Sequence, residues 1–110
     1  MGKLNFTELF EEMLSAARTT LADNWPKVSG VAASSLKTLA QTLVDIEEMR
    51  KEGSITEEQA RLLLNMHQNT LKIVLLSVHV IDLLKAEAVI NAAFDAIRIP
   101  VNAALGFKIL

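Results

Sequence analysis

From Glu57 to Ile99 the sequence contains neither glycine nor proline. No residue in that interval ends a helix through its backbone chemistry, so it reads as one continuous helix until Pro100 kinks or ends it. A helix from 57 to 99 would be about 64 Å long at 1.5 Å per residue. That length constrains the fold more than any other feature, because most of the helix's circumference is apolar and has to be covered.

Two shorter helices precede it. Phe6, Leu9, Phe10, Met13, Leu14, Ala17 and Leu21 recur at three- and four-residue steps and define a helix over about 6–23. Asn5, with Glu8 three residues on, supplies its N-terminal cap. The run Asp23-Asn24-Trp25-Pro26 breaks the pattern, and Pro26 suits the first turn of a new helix. That second helix covers about 27–52, with Ala32, Leu36, Leu39, Leu43, Ile46 and Met49 as its stripe, Glu47 and Lys51 paired one turn apart, and Gly53 as its stop. In GSITEEQA, residues 53–60, Thr56 and Gln59 form a capping box, and Glu57 and Glu58 lie where a helix dipole favours acids. A tight turn between the second and third helices follows. The tail VNAALGFKIL continues helical to Gly106.

Composition agrees with an all-α chain. Aromatics are 5%, tyrosine is absent, and alanine and leucine dominate an apolar fraction of 51%. A β-sandwich would need alternating β-branched and aromatic residues. The 110 residues suit one helical-bundle domain over 1–110.

The third helix carries a narrow polar stripe of Arg61, Asn65, Gln68, Lys72 and His79. Leu63, Leu64, Leu71, Val74, Val78 and Ile81 fill the opposite side, with His67 among them. Leu62, Met66, Ile73, Val80 and Leu84 form a second apolar flank. Beyond residue 86 a further polar line follows: Glu87, Asn91, Asp95, Arg98 and Asn102. Two preceding helices of roughly 27 and 39 Å would cover a 64 Å partner only if laid end to end. The expected solution is a homodimer or higher oligomer, the long helices pairing antiparallel about a two-fold axis. Its interface is expected at Leu71, Val74, Val78, Ile81, His67 and His79.

The chemistry available is sparse. There are no cysteines, hence no disulfide, thiolate ligand or cysteine nucleophile. No glycine-rich phosphate loop, Gly-x-Ser-x-Gly or His-Glu-x-x-His is present. The Glu-x-x-His pattern of di-iron bundles is missing too, since Leu64 and Leu76 stand three residues before the two histidines. His79 and Asp82, at i and i+3, are the candidate metal pair; only a dimer axis beside them would raise the ligand count to that of a zinc or iron site. No cofactor is expected. Residues 1–60 hold six basic and ten acidic side chains, and residues 61–110 hold five and three. Neither half offers the basic footprint of a nucleic-acid binder.

MGKLNFTELFEEML does not read as a signal peptide, and Asp82, Lys85 and Glu87 interrupt the apolar run that starts at residue 73 before it reaches membrane-spanning length. These features imply a cytoplasmic, non-enzymatic helical bundle that self-associates and binds a protein partner. A membrane-active protein with an amphipathic tail, AFDAIRIPVNAALGFKIL, is the alternative. A metal-binding dimer using His79 and Asp82 is the second.

Overall fold

The computed structural model describes residues 4–78 and 81–110. Among them are four α-helices: α1 (Phe6–Leu21), α2 (Trp25–Glu52), α3 (Glu57–Leu76) and α4 (Leu83–Leu105), with a short 3-10 turn, Ala22–Asn24, between the first two.

The caps follow the local chemistry. Asn5 accepts a hydrogen bond from the Glu8 amide at 3.0 Å, and Pro26 occupies the first turn of α2. At α3 the Gln59 amide donates to the Thr56 hydroxyl at 3.0 Å, and the Thr56 amide to Gln59 Oε1 at 2.9 Å, so both halves of the box are made. Gly53 and Gly106 end α2 and α4 at φ 72° and 80°, a conformation that carries no Cβ penalty in glycine.

The continuous helix expected over 57–99 is two helices. α3 stops at Leu76, and Asp82 begins α4, its carboxylate accepting from the Lys85 amide at 2.8 Å. The change of direction needs no glycine or proline. Val78 and Ile81 are β-branched and weak helix formers, and a well-placed aspartate satisfies an amide that a new helix start would otherwise orphan. Pro100 does not end α4 either: the helix runs through it to Leu105.

Contacts across the chain fix the directions. Arg50 reaches Glu57, and Thr42 meets His67, so α2 and α3 are antiparallel. Lys72 pairs with Glu87, and Arg61 donates to the Lys108 carbonyl, so α3 and α4 are antiparallel too. The Leu4 amide donates to Glu47, placing the start of α1 beside the end of α2. α4 packs on α1 and closes an up-down-up-down four-helix bundle of about 42 × 23 × 19 Å.

The core follows the expected stripes: Leu9, Met13 and Leu21 from α1, Leu36, Leu39, Leu43 and Ile46 from α2, Leu64, Leu71 and Leu75 from α3, and Val89, Ile90, Ile97 and Val101 from α4. Ala17, Ala32, Ala40, Ala60, Ala86 and Ala93 are fully buried, at least one from each helix. A methyl-sized side chain lets neighbouring backbones approach closely while leaving little void. Folding back therefore buries within one chain much of the surface that a single 64 Å helix would have left for another copy.

One backbone position is strained. Ala22, which closes α1, has φ 48° and ψ −115°, the only positive φ outside glycine among the described residues. An L-residue pays a Cβ clash there that glycine avoids. Ala22 is exposed, so no packing is lost on replacement. Ala22→Gly is expected to stabilise the protein by about 1 kcal/mol after the larger unfolded-state entropy of glycine is deducted, raising the thermal midpoint by a few degrees. An unchanged or lower midpoint would mean that this turn relaxes freely.

Candidate functional site

The expected site residues are dispersed. Leu71 is 1% exposed and Ile81 4%, both inside the chain's own core, with Val74 and Val78 partly buried around them. This face of α3 therefore packs against the rest of the bundle instead of offering a surface to a second copy. His79 lies outside the described residues. Asp82, its expected metal-site companion, is committed to capping α4. No group of three or more histidine and carboxylate side chains disposed to hold a metal occurs among the described residues.

His67 is half-buried against α2, with Nε2 3.3 Å from Thr42 Oγ1. Thr42 already donates its own proton to the Thr38 carbonyl at 2.9 Å, so its oxygen accepts from the imidazole. A base that activates a hydroxyl must take that proton, and here the proton is directed elsewhere. The pair pins α3 to α2. Asp45, one turn along α2, accepts from Gln41 at 3.0 Å.

The two polar stripes of the expected long helix meet face to face once the chain doubles back. Gln68 and Lys72 from α3 and Glu87 and Asn91 from α4 line a crevice of about 210 Å³, with Lys72 Nζ 3.7 Å from Glu87. A cation and an anion answering each other, edged by carboxamides, make this a solvated seam of the hairpin.

Three features escaped the sequence reading. Glu47, expected to pair with Lys51 on the surface, is 3% exposed; one oxygen accepts the Leu4 amide at 2.9 Å and the other has no partner among the described residues. Its position one turn beyond buried Leu43, on the edge of the α2 stripe, was the available signal. Phe107 lies between the Arg50 and Arg61 guanidiniums, 5.1 and 5.2 Å from its ring centroid. Asn102 accepts from the Ile109 and Leu110 amides at 3.0 Å each. Together they fold the segment after Gly106 back toward the α2–α3 turn; the Asn102 bonds span seven and eight residues, and the arginine contacts of Phe107 join residues far apart in the chain that no local spacing encodes.

What remains open is the outward face of α3. Leu62 is 64% exposed, Met66 64%, Ile73 68% and Leu76 40%. With Asn69 they step by four, three, four and three residues, the spacing of a coiled-coil seam. At about 100° per residue the five lie within about 40° of one line. The α3 core residues Ala60, Leu64, Leu71 and Leu75 lie on the opposite side of the helix. On the α2 side the seam continues into an apolar groove of about 370 Å³ lined by Met49, Ile55, Leu62, Leu63 and Met66. Leu62, Met66 and Ile73 belong to the second apolar flank of the sequence reading, and folding leaves them uncovered; of its other two members Leu84 is exposed on α4 and Val80 lies outside the described residues.

No family model matches the chain, and no curated protein or solved structure shows significant similarity to it. The site therefore has to be read from its own geometry.

Proposed function

We propose that this protein is a non-enzymatic helical-bundle module that self-associates and engages a protein partner. The observation that carries this reading is the outer seam of α3: large aliphatic side chains at coiled-coil spacing, exposed and diametrically opposite the core. A single exposed leucine is ordinary, but a row of four large apolar residues, interrupted once by Asn69 and set beside an apolar groove, is the kind of patch that marks an interaction surface. No arrangement of nucleophile, base and oxyanion donors competes with it among the described residues. Light scattering at tens of micromolar is expected to give at least twice the 12.1 kDa chain mass. A clean monomer that binds no apolar-patch dye would refute the reading.

A second reading, insertion into lipid, rests on α4. By length and composition Leu83–Leu105 could cross a membrane, its apolar stretch lying beyond the charges at Asp82, Lys85 and Glu87 that interrupt the run from residue 73. In the folded chain Ala86, Val89, Ile90, Ala93, Phe94, Ile97, Val101 and Leu105 face the core, so insertion would require the bundle to open. Flotation with liposomes separates the two readings, since a module of the first kind stays in the soluble fraction.

A further inference from the structure

We infer that the α3 seam is the contact between two copies of this chain, paired antiparallel about a two-fold axis with Leu62 of one copy against Met66 of the other. The inference rests on the self-association proposed above and adds to it the surface, the direction and the register.

Three antiparallel registers of the seam set Met66 of one copy against Leu76, Asn69 or Leu62 of the other. In an antiparallel pair the two seam positions of the heptad face each other, and the residues flanking them on one side meet their counterparts. On the α4 side the flanking residues are Glu58, Asn65 and Lys72. Setting Met66 against Leu76 brings the two Lys72 ammonium groups face to face. Setting Met66 against Asn69 leaves a carboxamide against a thioether in two layers and places Leu76 against Gln59.

The third register sets Leu62 against Met66, and every residue class then finds its own kind. Leu62 meets Met66 twice across the axis. Asn69 meets Gln59, two carboxamides that can each donate and accept. Ile73 reaches the start of the partner's α3, where the half-buried Ile55 ahead of the cap lines the apolar groove. Glu58 flanks Lys72, an opposite-charge pair made twice, with Glu87 already beside Lys72 at 3.7 Å. Leu76 extends past the overlap. Like charges or mismatched polarity at such positions reject a register, whereas matched polar layers fix one. The charge and polarity pattern of the seam thus identifies its occupant as a second copy of the same surface.

The chain has no cysteine, so single introduced thiols report geometry without background. Asn65 and Asn69 are both exposed, and cysteine at either leaves the core untouched. In the Leu62–Met66 register the two copies of residue 65 flank the axis, offset by about 3 Å along it at 1.5 Å per residue, whereas the two copies of residue 69 are about 15 Å apart. In a parallel pair, and in both rejected antiparallel registers, the copies of residue 69 lie within about 6 Å along the axis. Treated with a short bifunctional maleimide, Asn65→Cys is expected to form covalent dimer at least tenfold faster than Asn69→Cys. A charge exchange supplies the second arm. Glu58→Lys or Lys72→Glu alone is expected to weaken dimerisation several-fold, and the double exchange to return it to within about twofold of the parent. A dimer by light scattering in which Asn69→Cys links as fast as Asn65→Cys overturns this inference while leaving the proposed function standing. A monomer overturns this inference, and a monomer that also binds no apolar-patch dye overturns the proposed function with it.

Discussion

Leu43→Asp is expected to abolish the cooperative thermal transition of this protein. Leu43 sits midway along α2 on the stripe of Leu36, Leu39 and Ile46, and none of its surface reaches solvent. An aspartate there either ionises in an apolar interior or folds protonated. Leaving one charge buried without a partner costs several kcal/mol, on the order of 3–5 where such losses have been measured. The leucine's own packing is lost as well, about 2–5 kcal/mol for truncations of this size. A domain of this size has roughly 5–15 kcal/mol of stability in total, so the two losses together consume most or all of it. Far-ultraviolet circular dichroism against temperature reads the result directly. A variant that melts cooperatively within a few degrees of the parent would show that the core has been assigned to the wrong face of α2.

Met66→Glu combined with Ile73→Glu is expected to do the reverse: convert the assembly to monomer while leaving the helical spectrum and the melting of the isolated chain nearly unchanged. Both side chains are about two-thirds exposed within one chain, so neither supports the bundle. Burying an aliphatic side chain fully is worth about 1.5–3 kcal/mol, and each substitution occurs twice in a symmetric pair. Four side chains are lost from the pair, each about two-thirds exposed beforehand, so even at the low end the loss is about 4 kcal/mol, close to a thousandfold in dissociation constant, before the repulsion of the added carboxylates. Sedimentation or light scattering across a concentration series measures it. If the double variant keeps the parent's oligomeric mass, the seam is not the contact. If it unfolds, the seam is part of the core.

The contrast between these variants depends on α3 having two apolar faces, and both were legible as sequence. Leu64, Leu71 and Leu75 form one row and Leu62, Met66 and Ile73 another, because a helix of 3.6 residues per turn fixes which side chains share a face. Periodicity could not say which row the chain would cover for itself. The expected interface at Leu71, Val74, Val78 and Ile81 fell on the face that folding buries, and the second flank was left outside. The reason is the break after Leu76. Read locally, the run from 57 to 99 has no stop signal, and Asp82 looks like a polar interruption in a helix. Once α3 and α4 can pack as a hairpin on α1 and α2, the burial gained along two helices outweighs the few helical hydrogen bonds lost at the turn, and Asp82 offsets part of that loss as a cap.

Local residues were enough for α1, α2, the start of α3 and the end of α4: Asn5 and Thr56 with Gln59 cap through hydrogen bonds to residues a few positions away, Pro26, Gly53 and Gly106 act through their own backbone conformation, and neither depends on what lies across the molecule. Packing across the molecule settled which apolar face became core, that the polar lines of α3 and α4 would meet as Lys72 and Glu87, that Glu47 would be buried against Leu4, and that Phe107 would meet both Arg50 and Arg61. Each of these joins residues far apart in the chain. Which of them form depends on the total surface that one arrangement of four helices buries, a sum over the whole molecule that no local window of residues contains.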